Sequence, residues 1–188
     1  MGQPILVPSP SMGFLDAVET CMAKYFDFKG RARRSEFWWL ILCGTLVEWG
    51  LSFLGSAFTA FSDGAFFNFF TCLGVVLAVI LFIPQLSAAT RRLHDTGRSG
   101  WWVFADALPI AALCVMLLLT FSIKQGGIES LKAVGDAMED LMVWVALVVI
   151  PLTTPLSVII LAFTLQDSKP EQNKYGPSPK YDYSPTSL

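Results

Sequence analysis

Four long apolar runs constrain the fold of this chain more than any other feature. They cover residues 37–61, 66–89, 101–123 and 142–165. A transmembrane helix needs about 20 apolar residues to cross the hydrocarbon core of a bilayer, and each run reaches that length. Charged residues make up only 15% of the chain, which is low for a water-soluble domain. The sequence therefore predicts an all-α integral membrane protein built as a bundle of four transmembrane helices.

Lysine and arginine residues lie mainly on one side of this predicted bundle. Five precede the first run, three separate the second run from the third, and three follow the fourth. The loop between the third and fourth runs has only two. Because loops rich in lysine and arginine stay in the cytoplasm, the ratio of eleven to two predicts that both termini are cytoplasmic.

The segments outside the four runs differ in character. Residues 13–26 place apolar side chains on one helical face, which predicts an amphipathic helix that is too short to span and lies on the inner membrane surface. Residues 128–141 show a weaker version of this pattern on the outer side. Residues 1–12 are predicted to be flexible, and residues 166–188 to form a disordered cytoplasmic tail rich in Pro, Ser, Lys and Tyr. The membrane domain is then residues 13–165.

A basic motif, FKGRARRSEFWW, precedes the first run. Arg31, Arg33 and Arg34 would lie at the anionic inner leaflet, and Glu36 is within helical reach of Arg33. The tryptophan pair that follows is typical of the headgroup region. Two interpretations stay open for this motif: a topology anchor that needs no ligand, or a docking site for lipid headgroups or a partner protein.

A second motif, RRLHDTGRSGWW, lies between the second and third runs. Arg91 and Asp95 are four residues apart, which predicts an ion pair on one helical face. Gly97 is predicted to end this helix in a left-handed conformation, and Ser99 to cap the helix that follows. These residues therefore have structural explanations.

Arg92, His94 and Arg98 of the same motif lack a complete structural explanation. Arginines beside exposed loop amides are suited to hold a phosphate group. The alternative is that they pair with Glu36 and Asp27 of the first motif and close the cytoplasmic side of the bundle. The sequence leaves both arrangements open.

The pattern around His94 argues against catalysis. His94 and Asp95 are adjacent, so on a helix they point about 100° apart, and no nucleophile elbow surrounds Ser99. One histidine and four dispersed cysteines leave few metal ligands beyond His94, Asp95 and Glu36. The sequence predicts a protein that is not an enzyme and uses no cofactor or metal. His94 is expected to be a hydrogen-bonded structural residue in preference to a pH sensor.

Two acidic residues lie within the predicted spans. Glu48 is about 16 Å along the first helix, near the bilayer midplane, where an ionisable residue faces the bundle interior and indicates a function. A neutral structural role, with hydrogen bonds from hydroxyls of the fourth span, and a role as a proton or ion relay are both open. Asp106 is nearer the cytoplasmic end of its helix and is expected to join the cytoplasmic arginines.

Three motifs carry a family resemblance: YFDFKGRARRSEFWW, RRLHDTGRSGWW and, in the tail, NKYGPSP. In this order they resemble the small bacterial inner-membrane proteins grouped as domain of unknown function 805, of the YhaH and YhaI type. The resemblance extends over most of the chain. It implies a small multi-pass protein of the bacterial inner membrane with four spans, and it implies no activity, ligand or catalytic residue.

The predicted function is therefore that of a non-enzymatic membrane protein with a basic cytoplasmic cap. The cap consists of Arg31, Arg33, Arg34, Glu36, Arg91, Arg92, His94, Asp95 and Arg98. Its expected ligands are anionic phospholipids, a partner protein or a second copy of the chain, and no nucleic acid. The alternative function is a small oligomeric transporter or channel that uses Glu48.

Overall fold

Within residues 5–58, 65–125 and 129–184, which the computed structural model describes, the chain forms five α-helices and one small sheet. The elements are β1 (Ile5–Pro8), α1 (Phe14–Ala23), α2 (Arg34–Phe58), α3 (Ala65–Asp95), α4 (Trp101–Gln125), α5 (Glu129–Leu165) and β2 (Tyr181–Ser184). They divide into two compact units, one of residues 1–100 and 164–188 and the other of residues 101–163. The predicted all-α class is confirmed.

Several of these helices are suited to a membrane. In the described part of the chain, Arg34–Phe58, Phe69–Asp95 and Val134–Leu165 are long and apolar enough to cross a bilayer. α4 contributes a shorter apolar segment, Trp101–Met116. Pro84 lies inside α3, which membrane helices tolerate because neighbouring groups satisfy the freed backbone carbonyl. The predicted multi-pass membrane class is confirmed.

The segment before the fourth apolar run differs from its prediction. α5 begins at Glu129, so residues 129–141 and the predicted span 142–165 form one helix of 37 residues. Residues 129–141 are therefore helical, as their pattern indicates, but they form the first part of α5 and are not a separate element. Residue 128 lies outside the described residues. The continuity has a simple cause, since no proline interrupts this stretch before Pro151 and its residues are mostly good helix formers.

The first unit packs α1, α2 and α3 around a small core. Its buried members are Cys21, Phe37, Leu40 and Ala88. α1 occupies ten residues of the segment 13–26 that was predicted to be helical. At Gly44 of α2 a Cβ atom would meet the terminal amide of Gln85 on α3, so the glycine leaves room for that side chain between the two helices.

The chain ends are more ordered than their composition predicts. β1 and β2 pair in an antiparallel sheet, with Ile5 opposite Ser184 and Pro8 opposite Tyr181. The amide of Ser9 donates to the carbonyl of Lys180 at 2.8 Å. The predictions of a flexible segment 1–12 and a disordered tail 166–188 did not include this pairing of residues 5–8 with 181–184. Composition missed this because backbone groups hold the tail. The remaining ends, residues 1–4 and 185–188, and residues 59–61 of the first predicted span lie outside the described residues.

Candidate functional site

The two basic motifs meet at one buried site in the first unit. Arg91, Arg92 and Asp95 lie at the end of α3, Glu36 lies in the first turn of α2, and Arg31 lies in the loop before α2. These five residues are called the arginine cluster below. Each is at most 6% exposed. Buried charges persist only when they are paired and hydrogen-bonded, so the partners of these side chains determine what the site can do.

Asp95 is the centre of the arginine cluster. Its Oδ1 accepts a hydrogen bond from Arg31 Nε at 2.8 Å, and its Oδ2 accepts one from Arg92 Nη1 at 2.6 Å. One carboxylate thus lies between two guanidinium groups that would otherwise repel each other. Arg92 is three residues from Asp95 on α3, whereas Arg31 is 64 residues away in the first motif.

Arg31 also binds the tail. Its Nη1 donates to the carbonyls of Glu171 at 2.8 Å and Gly176 at 3.2 Å, and its Nη2 donates to the carbonyl of Lys169 at 2.5 Å. A guanidinium group has five N–H donors in a fixed plane, and here most of them have acceptors from the protein itself. The tail is therefore folded around a buried cation.

Arg92 makes similar contacts where α5 ends. Its Nε donates to the carbonyl of Thr164 at 3.2 Å, its Nη2 donates to the carbonyl of Gln166, and Ser168 Oγ lies 3.4 Å from its Nη1. The last carbonyls of a helix lack partners within the helix and carry partial negative charge. The cation of Arg92 satisfies them, so α3 and the end of α5 are held by one side chain.

Arg91 pairs with Glu36 and not with Asp95. Its Nη1 donates to Glu36 Oε1. The predicted ion pair of Arg91 and Asp95 is wrong, because Arg31 and Arg92 occupy both oxygens of Asp95. Asp27, the other acid expected near these arginines, instead accepts a 3.0 Å hydrogen bond from its neighbouring backbone amide at Lys29.

Cys21 of α1 lies against this second ion pair. Its Sγ is 3.7 Å from the carbonyl oxygen and 3.8 Å from Oε1 of Glu36. Burial, reinforced by the negative charge of Glu36, raises the pKa of the Cys21 thiol to about 11. The thiol is therefore neutral near neutral pH and acts as a small packing group.

Gly97 ends α3 in the way the sequence predicted. Its φ is +84°, the left-handed conformation that glycine adopts without strain. The amide of Gly97 donates to the carbonyl of His94, and the amide of Arg98 donates to the carbonyl of Leu93, both at 2.9 Å. This pair of bonds is a Schellman motif, which turns the chain sharply after the arginine cluster.

His94 joins the tail motif to the two basic motifs. Its ring stacks on Tyr175 with centroids 3.7 Å apart and planes 7° apart. Its Nδ1 lies 3.2 Å from the carbonyl of Gly30, and its own carbonyl accepts a 2.9 Å hydrogen bond from Asn173 Nδ2. These contacts favour the expected structural role, and they bring all three quoted motifs into one unit.

The other arginines of the predicted cap lie nearer the surface. Arg33 donates to the carbonyls of Pro10 at 2.6 Å and Ser9 at 3.1 Å. Arg98 Nη1 donates to Gln166 Oε1 at 2.8 Å. Arg34 is exposed, and its Nη1 donates to the carbonyl of Leu165 at 3.3 Å. These three side chains, unlike the buried ones, are accessible to a ligand.

Arg34 also borders an open groove of about 600 Å³ at the start of α2. This α2 groove is lined by Arg34, Ser35, Trp38, Trp39, Leu42 and Leu165. The ring of Phe14 on α1 contacts Trp39 edge to face, with centroids 5.6 Å apart. The groove therefore combines one exposed cation with a wall of apolar side chains.

The two predicted intramembrane acids lie in different units. Glu48 is exposed on α2 and borders a cavity of about 300 Å³ between α2 and α3, where Ser52 and Thr71 are also lining residues. Asp106 lies in the second unit and accepts a 2.8 Å hydrogen bond from Ser157 Oγ. Its described partner is thus a serine of α5, where the sequence suggested an arginine.

The described residues offer no group of three or more His, Cys, Asp or Glu side chains arranged to hold a metal ion.

The sequence did not predict that the buried arginines bind the tail. Their acceptors there are backbone carbonyls, which every residue type has, so no residue pattern indicates them. Asn173 and Tyr175 were also missed, although their motif, NKYGPSP, was one of the three that carry the family resemblance. That motif was the available clue to the tail contacts.

The fold and the site together define a multi-pass α-helical membrane protein with a buried arginine cluster. The sequence profile of the DUF805 family, described as a protein of unknown function, matches residues 25–129. That match covers more than half of the chain, and the chain belongs to this family. The resemblance drawn from the three motifs is thereby confirmed.

Three relatives from Escherichia coli (strain K12) illustrate the match. Inner membrane protein YhaH is 29% identical over 108 residues, which are 56% of this chain and 82% of YhaH. Inner membrane protein YhaI is 30% identical over 105 residues, 52% of this chain and 75% of YhaI. The uncharacterized protein YiiR is 39% identical over 82 residues, 42% of this chain and 48% of YiiR. No solved structure matches the chain significantly.

Proposed function

We propose that this chain is a four-span protein of the bacterial inner membrane, with both termini in the cytoplasm, whose basic cap engages anionic lipid headgroups or a partner protein. One observation carries this proposal: the buried arginine cluster joins the three polar motifs, while Arg33, Arg34 and Arg98 remain at the surface. The excess of basic residues on one predicted side and the membrane localisation named for YhaH and YhaI support it.

Within this proposal the six arginines of the cap divide into two groups. Arg31 and Arg92 are buried and bind acceptors within the protein. Arg91 is buried and paired with Glu36, while its Nε and Nη2 have no acceptor among the described residues. These three side chains form a scaffold that holds the two basic motifs and the tail together. The surface arginines provide the contacts to the ligand. Each basic residue held near an anionic leaflet contributes about 1 kcal/mol of attraction, which suits reversible recruitment of lipid.

The test measures how lipids stabilise the purified full-length chain in detergent. Phosphatidylglycerol is expected to raise the apparent Tm more than phosphatidylcholine with the same acyl chains. A variant with Arg33→Gln, Arg34→Gln and Arg98→Gln should lose this preference. The matched control replaces three exposed lysines, Lys24→Gln, Lys29→Gln and Lys174→Gln. Equal stabilisation of all three proteins by both lipids would refute the lipid function, and crosslinking in native membranes would then test the partner protein.

The second candidate function is a small oligomeric transporter or channel that uses Glu48. The observation in its favour is the exposure of Glu48 on an apolar helix, beside a cavity that also has the hydroxyls of Ser52 and Thr71. An ionisable side chain at membrane depth is costly unless a water-filled path or another protein group faces it. Proton flux into proteoliposomes should then be lower for Glu48→Gln than for the unchanged chain. Background flux in both would end this candidate.

A further inference from the structure

We infer that the α2 groove binds one anionic phospholipid molecule, with its phosphate at Arg34 and an acyl chain along Trp39 and Leu42. The inference rests on the proposed function, because the groove meets a bilayer only if the start of α2 lies at the membrane surface. It goes further by assigning one ligand to one site. The cap as a whole attracts headgroups by its charge, whereas the groove would hold one lipid molecule in a defined place.

The polar end of the groove matches a phosphate. No lining residue is acidic. The carboxylate of Asp167 lies outside the lining but within electrostatic range of Arg34, and its ion-pair partner is Lys180, so Arg34 remains the cation of the groove. The contact of Arg34 Nη1 with the carbonyl of Leu165 places the guanidinium at the edge of the groove and leaves other N–H donors for a ligand. The first backbone N–H groups of α2 and the Ser35 hydroxyl add donors at the same end.

The apolar wall of the groove matches an acyl chain. Ser35, Trp38, Trp39 and Leu42 recur at helical spacing, so the groove follows α2 for about 12 Å from Arg34 to Leu42. Phe14 packs against Trp39, so the wall has a defined shape before a ligand arrives. The volume, about 600 Å³, is in the usual range for small-molecule sites.

The apolar wall also distinguishes between two sources of the anion, a phospholipid and free phosphate. A free inorganic phosphate has no part that would occupy the apolar wall, and this favours the lipid.

The experiment is native mass spectrometry of the full-length chain, released from detergent micelles that contain phosphatidylglycerol and phosphatidylcholine with the same acyl chains. The unchanged protein should retain one phosphatidylglycerol molecule in preference. Arg34→Gln should reduce this retention about five- to tenfold, the loss expected for one phosphate contact. Arg34→Lys keeps the charge and should retain most of the lipid. Leu42→Ala should weaken retention of both lipids, because it shortens the apolar wall.

Lys29→Gln is the matched control, since Lys29 is an exposed cation close in sequence that does not line the groove. Retention by Arg34→Gln equal to that by Lys29→Gln would overturn the inference, and so would displacement of the lipid by millimolar inorganic phosphate. If Arg34→Gln keeps its preference and the variant lacking all three surface arginines loses it, the proposed function stands and the groove assignment falls. If the unchanged protein shows no preference, the groove assignment and the lipid form of the proposed function both fall.

Discussion

At the scale of single residues, Asp95 determines the stability of the arginine cluster. It faces two guanidinium groups, those of Arg31 and Arg92, and none of the three side chains is more than 6% exposed. Asp95→Asn keeps the shape of the side chain and removes the only charge between these cations. Removing one partner of a buried ion pair costs about 3–5 kcal/mol. We expect the apparent Tm in detergent to fall by on the order of 10 °C.

Glu19→Gln is the control for Asp95→Asn, because Glu19 is an exposed acid of α1. Loss of an exposed charge changes stability by less than about 1 kcal/mol. Equal apparent Tm values for the two variants would mean that the cluster is stabilised by its backbone acceptors alone.

Cys21 gives a second prediction at this scale. Its pKa is raised to about 11 from 9.0 by burial and by Glu36, so at pH 8 its thiolate fraction is about a hundredfold smaller than that of an unperturbed thiol. With the other three cysteines changed to serine, alkylation of Cys21 in the folded protein should be slow at pH 8. The rate should rise with pH until about 11, and denaturant should remove the protection.

Mass spectrometry after timed alkylation measures this rate. An alkylation rate in the folded protein that matches the rate in denaturant would show that Cys21 is accessible. The outcome would also question the packing of α1 on the ion pair of Arg91 and Glu36, because that packing is the reason for the protection.

Residue patterns identified the members of the arginine cluster but not their pairing. All five members were among the predicted site residues, because charged side chains beside apolar runs are conspicuous. The spacing of four residues on a helix predicted an ion pair of Arg91 and Asp95, which are close in sequence. The observed pairs of Arg31 with Asp95 and of Arg91 with Glu36 are 64 and 55 residues apart. Such pairs depend on how α1, α2 and α3 pack, and spacing along one helix gives no information on that.

At the scale of elements, the tail depends on a few contacts with the end of α3. Tyr175 stacks on His94, and Asn173 closes a small turn with Gly176 through two backbone hydrogen bonds of 3.0 and 3.2 Å. Tyr175→Ala removes the stacked ring. We expect amide hydrogen exchange at Gly176 and tryptic cleavage after Lys174 to become about three- to tenfold faster, because one aromatic contact is worth about 0.5–1.5 kcal/mol.

Tyr175→Phe keeps the stacked ring and loses only the hydroxyl, so exchange and cleavage should match those of the unchanged chain. If the alanine and phenylalanine variants behave alike, the ring does not hold the tail. The contacts of Arg31 with the tail carbonyls would then account for its order.

Apolar runs predict the existence of the long helices well, and the reason is physical. In a bilayer every backbone polar group needs a partner within the protein, so an apolar run of sufficient length has to be helical. The bounds at the polar ends follow other rules. α3 continues to Asp95 because its last turns are fixed by the arginine cluster, and α5 starts at Glu129 because nothing interrupts it. Neither extension is visible in hydropathy.

At the scale of the whole molecule, the contacts of the two chain ends support an even number of membrane crossings. β1 pairs with β2, and Arg31, which precedes α2, binds carbonyls that follow α5. Segments in direct contact lie on the same side of a membrane. Three helical segments of the described chain are long enough to span, and three crossings would separate the ends. The proposed topology of four spans, with α4 as the additional one, agrees with these contacts.

Cysteine labelling of intact cells tests this topology. In a background without the four native cysteines, Ser11→Cys and Gln172→Cys report on the two ends. Asp140→Cys reports on the part of α5 that precedes the apolar run 142–165, and all three sites are exposed. A membrane-impermeant maleimide should label Asp140→Cys in cells with a permeabilised outer membrane, and the other two only after lysis. The excess of basic residues predicts this sidedness. Labelling of Gln172→Cys but not Ser11→Cys before lysis would mean three crossings, and the contacts of Arg31 with the tail could not then form.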